Sequence, residues 1–505
     1  MSLAERSTAS PRMFWRGVIG YLPVNLVQGV VGLLAIVTFT RLLTPAQFGV
    51  YALGVSAMNL CHTLFFTWME GAMARFYARE AEGGRLADHF ATLYKAWLGT
   101  ALLFSACAGV AAALWPASWA VKAAVGAGLA SILVRSLIKL VQERRRAAGD
   151  VGAAARLDMI QTAGGLALGL CLILIGYQAA GAITALGMVA AVCLVWSLPT
   201  ELRQMRGGRF EGARARDYAA YGLPIAASLV LIALLSTADR FLLAAYLGDQ
   251  AVGVYHAGYS LANRTLDVIF IWIGMAGGPA MVMALERGGK RAMETLAREQ
   301  SGAIIALTLP AAGGVALVAG PLAGVLIGPA LSRGAAHVTP WIALSAFCSG
   351  ITIYYLNLAF TLARRTSLLV AAMAIPAAAN IGLNVVLIPL YGLDGALWAT
   401  AASYAIGAVA SFILGRRCLV LPIPLTTMAQ AGFASLLMAV VVTRLPAIGG
   451  APELILKAFV GAAVYGGLAV AMDIGGLRSY GARMLIGRLA TDRVKQQPEN
   501  STAAS

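Results

Sequence analysis

Long apolar stretches alternate with short basic ones along the whole chain. From Met159 to Thr200, 42 consecutive residues contain no Asp, Glu, Lys or Arg. Gln300 to Ser332, Gly334 to Ala363, Thr366 to Leu393, Gly395 to Gly415 and Cys418 to Thr443 are equally free of charge. A helix rises about 1.5 Å per residue, so a hydrocarbon core roughly 30 Å thick needs about 20 apolar residues. Cut at its charges and turns, the pattern predicts about fourteen spanning helices. They fall at 17–41, 46–70, 90–115, 118–139, 156–176, 180–200, 219–246, 250–283, 301–328, 337–362, 366–390, 394–415, 425–443 and 454–474. The Met159 stretch accommodates two of them, with a turn near Tyr177–Gly181. The expected fold is all-α and polytopic.

Charge sets the orientation. Cytoplasmic loops of membrane proteins carry the excess of Lys and Arg. With both termini inside, most of the 38 basic residues fall in inner segments. Arg41, Lys122, Arg333, Arg444 and Lys457 fall at the outer side, and Arg240 and Arg264 stay within spans. A missed or extra helix would break this alternation downstream. Composition agrees: 60% of residues are hydrophobic, 12% are charged and mean hydropathy is +0.78. A net charge of +16 would suggest nucleic acid in a soluble protein. Here it belongs to loops facing anionic lipid, and no soluble basic domain has room to fold.

The outer loops are too short for an extramembrane catalytic domain, which argues against a polysaccharide polymerase, ligase or glycosyltransferase. No nucleotide-binding, nucleophile-elbow or zinc-protease motif occurs. The six cysteines and four histidines are scattered, so neither a disulfide framework nor a metal site is expected, and no cofactor. The first apolar run reads as a retained span rather than a cleaved signal. Leu477 to Lys495 spaces Arg478, Arg483, Arg488 and Arg493 five apart, with apolar residues between, as in a basic helix lying on the inner surface.

An internal repeat divides the chain. Leu43-Thr-Pro-Ala-Gln-Phe-Gly-Val-Tyr-Ala-Leu-Gly54 matches Leu247 to Gly258 at Leu43/Leu247, Gly49/Gly253, Val50/Val254, Tyr51/Tyr255 and Gly54/Gly258, at an offset of 204. Leu22-Pro23 is echoed by Leu223-Pro224, and Tyr177 with Gly181-Ala182 by Tyr391 with Gly395-Ala396. An even number of spans per copy gives parallel repeats, with a substrate site expected between halves that rock. The reading is an N-lobe at 1–200, a linker at 201–218, a C-lobe at 219–416, two further helices within 417–475 and a cytoplasmic basic tail at 476–505.

Charges inside spans cost about 2.5–3.5 kcal/mol on the insertion scale and are therefore paired or functional. Asp239 and Arg240 lie in the seventh span. Arg264 and Asp267 lie in the eighth, at an i, i+3 spacing that allows pairing. Glu70 lies near the inner end of the second, close to Arg75. Arg240 and Arg264 suit an anionic phosphate, with Arg41 at the outer mouth. Asp239, Asp267 and Glu70 suit a coupling proton or sodium ion. Asn25 with Gln28, and Asn380 with Asn384, each share a helix face and can line a cavity. Structural ion pairs and interhelical hydrogen bonds explain the same residues without transport.

Arg41-Leu-Leu-Thr-Pro-Ala-Gln-Phe-Gly-Val-Tyr51 resembles the signature of bacterial polysaccharide flippases. So do Asp239-Arg-Phe-Leu-Leu243 with Gly253-Val-Tyr255, and Asn380 and Asn384 followed by Ile388-Pro-Leu-Tyr-Gly-Leu-Asp-Gly-Ala396. The resemblance runs from about Arg16 to Arg417. It points to the oligosaccharide or O-antigen flippase family of the multidrug/oligosaccharidyl-lipid/polysaccharide exporter superfamily. It implies two six-helix lobes around a cationic cavity, and alternating access in a bacterial inner membrane. The implied substrate is a sugar chain on undecaprenyl pyrophosphate, coupled to a proton or sodium gradient; a monomer is expected. The alternatives are a cation-coupled drug or metabolite antiporter and a flippase for the peptidoglycan lipid precursor. The latter is expected to carry more cavity cations in the first lobe than Arg41.

Overall fold

A computed structural model describes residues 11–114, 119–476 and 478, the side chains of 11–26, 112, 119–121, 123–125 and 271–276 excepted. The described residues form helices and helical turns, with no strand among them. In chain order these are α1 (Pro11–Leu42), α2 (Pro45–Phe65), α3 (Thr67–Glu82), α4 (Leu86–Leu114) and α5 (Trp119–Ala147). Next come α6 (Val151–Leu172), α7 (Gln178–Gln204), α8 (Gly212–Leu247), α9 (Asp249–Leu317) and α10 (Ala319–Leu326). The last are α11 (Pro329–Ile351), α12 (Leu358–Leu362), α13 (Thr366–Arg416), α14 (Leu425–Thr443) and α15 (Gly450–Ala471). The expected surface helix at 477–495 lies outside the described residues, Arg478 apart.

Nine stretches among the described residues are long and apolar enough to cross a membrane, making this a multi-pass membrane protein. Two of them are long enough to cross twice. Val151–Gln204 has 54 residues and Thr366–Arg416 has 51, each between roughly 75 and 80 Å of helix against a core of about 30 Å. Both turn back at left-handed residues: the first at Gly176 (φ 105°) and Gln178 (φ 48°), the second at Gly392 (φ 60°). The expected turn near Tyr177 is thus present. The expected span 46–70 instead breaks at Phe66. There α2 ends and α3 begins, the Phe66 ring packing on Trp97 and Phe104 at centroid distances of 6.4 and 5.8 Å.

The repeat extends to the turns. Gln178 (φ 48°, ψ −138°) has its counterpart in Gly392 (φ 60°, ψ −133°), each one residue after the echoed tyrosine. Gly84 and Gly289, both at φ 67°, follow the same pattern within Gly83-Gly84-Arg85 and Gly288-Gly289-Lys290. A side chain at such a φ is strained, so glycine is the ordinary solution and Gln178 an uncommon one.

The two copies of the Gly-Val-Tyr motif touch each other. A methyl group on Gly49 would stand 1.8 Å from the Asp249 carbonyl oxygen, and one on Gly253 would stand 2.1 Å from that of Pro45. Asp249 is the repeat counterpart of Pro45, and Gly253 of Gly49, so the contact is reciprocal, as across a local two-fold axis. Lipid supplies no hydrophobic drive between helices, and close approach through small residues takes its place. The start of α2 is also fixed from within, by a capping box in which Thr44 and Gln47 satisfy each other's backbone N–H.

The chain divides into two compact units. The first comprises the residues up to Ser260 with Leu326–Val338 and Met373–Ser403. Its core gathers Phe66, Met69, Met73, Leu93, Phe104 and Ile132 from α2 to α5 around the break at Phe66. The second comprises Leu261–Val325, Thr339–Ala372 and the residues from Tyr404 onward. Here α14 and α15 pack on the later part of α9 through Ile305, Ala306, Ala434, Met438 and Tyr465, and the Tyr465 hydroxyl donates to the Ala306 carbonyl at 2.6 Å.

Gly49→Ala and Gly253→Ala are each expected to destabilise the protein by more than about 3 kcal/mol, because the obstruction is backbone rather than a side chain free to move. Gly71→Ala, with open space at its Cβ, is expected to be neutral or to gain up to about 1 kcal/mol. Thermal unfolding in detergent, followed by size-exclusion chromatography, compares the three.

Candidate functional site

Asp239 on α8 is completely buried within the first unit. The Tyr255 phenol, from the start of α9, donates a short hydrogen bond to its Oδ2. The Thr400 hydroxyl on α13 lies 3.4 Å from the same oxygen, 3.1 Å from the phenol and 2.8 Å from the Ala396 carbonyl, so its single proton serves three acceptors. Oδ1 receives the Arg240 backbone N–H at 3.1 Å. Asp239 makes no ion pair among the described residues. Its charge is met by dipoles from three helices, which is how a carboxylate survives burial without a counter-ion.

Arg240 is 5% exposed and points elsewhere, since neighbouring helix positions diverge by about 100°. One terminal nitrogen donates to Ser56 Oγ on α2 at 3.3 Å, and the guanidinium carbon stands 4.5 Å over the Tyr259 ring. Its buried Nε has no hydrogen-bond partner. A guanidinium with five donors is therefore underused in an environment that penalises it. Arg135 is a second such group, to which the sequence analysis assigns no role. It lies twelve residues before the end of α5, about 18 Å along the helix, half-buried, with Nη1 3.2 Å from Met58 Sδ. Both arginines hang from α2, through Ser56 and Met58. The signal available in the sequence was depth: twelve uncharged residues separate Arg135 from Lys122 at the outer side, while the consecutive arginines of the loop start only at Arg144.

The remaining candidates are dispersed. Arg41 is exposed at the end of α1, its Nη1 donating to the Val37 carbonyl at 3.0 Å. Gln28 is half-buried, and the Asn25 side chain lies outside the described residues. Asn380 and Asn384 are both fully buried. Asn384 donates to the Asn380 carbonyl at 2.8 Å, while both polar ends of Asn380 and the Asn384 Oδ1 lack partners. Arg264 and Asp267 are exposed residues of the second unit, and no ion pair joins them. Glu70 pairs with His62 across the α2–α3 break at 2.8 Å rather than with Arg75. The break itself turns Glu70 toward the preceding helix.

Two buried ionic knots stand at the basic ends of the helices. Glu80, 1% exposed, receives Arg79 at 2.9 Å and Arg85 and Arg214 at 3.4 Å, tying the end of α3 to the start of α8. Glu201 on α7 receives Arg144 at 2.6 Å and the Tyr94 hydroxyl at 2.7 Å.

A multi-span helical protein with repeated turns and charges buried within its spans has the architecture of secondary transporters built from internal repeats. Comparison with solved structures bears this out at the level of the fold. The lipid II flippase MurJ in an inward closed conformation superposes with a TM-score of 0.73 at 12% identity, covering 90% of this chain and 98% of that one. An inward-facing multidrug resistance MATE family transporter of the MOP superfamily gives 0.60 at 14% identity, covering 79% and 97%. A MOP superfamily transporter from Pyrococcus furiosus, described as having a binding pocket of reverse polarity, gives 0.54 at 14%, covering 80% and 93%. The chain belongs to the polysaccharide biosynthesis protein family, whose model matches residues 38–332, more than half of its length. A search among curated proteins returned no match.

Removing a donor from Asp239 leaves a buried carboxylate short of a partner, so Tyr255→Phe is expected to cost about 1–3 kcal/mol of stability. Arg214→Ala removes the one buried cation from Glu80, leaving it Arg79 and Arg85, and is expected to cost about 1–3 kcal/mol, whereas Arg79→Ala, at an exposed partner, costs under about 1 kcal/mol. Thermal melts of the purified variants test the order.

Proposed function

We propose that this protein is a flippase that carries an undecaprenyl-pyrophosphate-linked oligosaccharide across the bacterial inner membrane by alternating access. The observation that carries the reading is Arg240, a buried guanidinium within a spanning helix whose Nε is unpartnered. A pyrophosphate faces a prohibitive barrier in bare hydrocarbon. An arginine fork held inside the span lowers that barrier through charge-assisted hydrogen bonds. Arg135 supports the same chemistry from α5, and membership of the polysaccharide biosynthesis family supports the sugar. Arg264 and Arg41 are the further phosphate candidates, and Gln28, Asn25, Asn380 and Asn384 the candidates for the glycan. In this reading 1–200 and 219–416 are the moving lobes, and both termini face the cytoplasm.

Asp239 is the favoured coupling group, ahead of Asp267 and Glu70, because its lone charge is held by a phenol and a hydroxyl that can exchange it for a proton or a sodium ion. A drug or metabolite antiporter would use the same carboxylate, and the MATE-like fold keeps that alternative in the test.

Purified protein in proteoliposomes is expected to translocate a fluorescent undecaprenyl-pyrophosphate oligosaccharide. Arg240→Ala is expected to slow it about ten- to a hundredfold, the worth of one charge-assisted contact. Asp239→Asn is expected to abolish dependence on the ion gradient while sparing lipid binding. Wild-type protein that moves no lipid-linked sugar, but exports small organic cations under a gradient, would overturn the proposal in favour of the antiporter.

A further inference from the structure

The first unit contains an apolar groove between α4, α5 and α7, a cavity of about 220 Å³. Trp97 and Leu98, Val141, and Leu194, Leu198 and Leu202 line it. Its lips are open: Leu98 and Leu202 are 54% and 53% exposed, in helices that cross the membrane. One end is closed by Glu201, whose carboxylate is already satisfied by Arg144 and Tyr94. A polar ligand therefore has nothing to bind inside the groove, whereas a hydrocarbon chain fits its lining.

What stands at the closed end adds a charge requirement. Three consecutive arginines finish α5. Arg144 is neutralised by Glu201, and Arg146 by Glu143 and by Asp158, the latter at 2.7 Å. Arg145 makes no ion pair among the described residues, and its Nη2 donates to the Ser197 hydroxyl at 3.1 Å. It follows Val141 by four positions and so shares the groove's side of α5. Of the three arginines, the one that keeps its net charge stands over the groove. The basic end of α5 belongs on the cytoplasmic side, where the leaflet is anionic.

We infer that this groove is a binding site for one anionic phospholipid of the inner leaflet, its acyl chain lying along Trp97 and its phosphate meeting Arg145. The occupant is a membrane lipid rather than the transported substrate, and the site is independent of the proposed transport reaction. Its consequence is mechanical: a lipid seated there joins three helices of the first unit from the outside and makes their packing sensitive to lipid composition.

Brominated acyl chains quench a tryptophan that they touch. Trp97 lies eleven residues beyond Leu86, about 16 Å along α4, at the depth of mid-chain bromines. In a variant keeping Trp97 as the single tryptophan, dibrominated phosphatidylglycerol is expected to quench more strongly than dibrominated phosphatidylcholine at equal mole fraction. The preference should be about fivefold in apparent affinity, since one cation near an anionic surface is worth about 1 kcal/mol. Arg145→Gln should reduce it to parity, and Arg444→Gln, elsewhere on the chain, should leave it unchanged. Native mass spectrometry of wild type and Arg145→Gln with the same two lipids provides the parallel readout should the single-tryptophan variant not fold. Equal quenching and equal retention of both lipids by the wild type, or a preference that survives Arg145→Gln, overturns the inference and leaves only ordinary boundary lipid.

Discussion

The backbone contact between Pro45–Gly49 and Asp249–Gly253 fixes more of this molecule than any side chain does. It brings the starts of α2 and α9 together at a spacing that only glycine permits. From there the geometry propagates along rigid helices. Ser56 follows Gly49 by seven residues, two turns along α2 on the same side, and meets Arg240. Tyr255 follows Gly253 by two and meets Asp239. Of these adjacent residues of α8, one is thus held by the second copy of the motif and the other by the helix that carries the first. A membrane helix bundle has no hydrophobic drive to correct a loose fit, so such contacts carry the precision that a packed core supplies in water.

The duplication is of scaffold, not of site. The turns repeat in dihedral angle as well as in position, and the motif repeats in sequence. The polar pair does not: 204 residues before Asp239 and Arg240 stand Ala35 and Ile36. Tyr51, the counterpart of Tyr255, packs its ring against Phe39 and Phe48 at 5.2 and 5.9 Å.

The spans and the repeat were legible because hydropathy and motif identity are properties of contiguous residues. The turn at Tyr177 followed from helix length alone. What the sequence concealed was lateral. The His62–Glu70 pair joins two segments read as one helix, and the break at Phe66 carries no proline or glycine to announce it. Arg135 was hidden by its neighbours: Lys139 and three arginines follow it, so a loop boundary drawn from charge absorbed it. Conversely, the i, i+3 spacing of Arg264 and Asp267 permitted a pair that the structure does not form. Spacing along a helix constrains which side chains can meet, but solvent and partner helices decide whether they do.

The arrangement at Asp239 and Arg240 bears on why a membrane protein would keep both charges. A purely structural pair within a span lowers its cost by bringing opposite charges into direct contact, three or four positions apart. Here they are adjacent and diverge. Asp239 turns to Tyr255 and Thr400, and Arg240 to Ser56 and the face of Tyr259. Asp239 is met by neutral dipoles, Arg240 only in part, and no ion pair joins the two. A cation held by dipoles retains its attraction for a mobile anion, and a carboxylate held by hydroxyls retains its attraction for a mobile cation. Under the proposed flippase reading, separating the two on one rigid helix would let both be neutralised in turn by diffusible charges and would link those two events through the position of α8. That link is the minimum a coupled carrier of an anionic lipid requires.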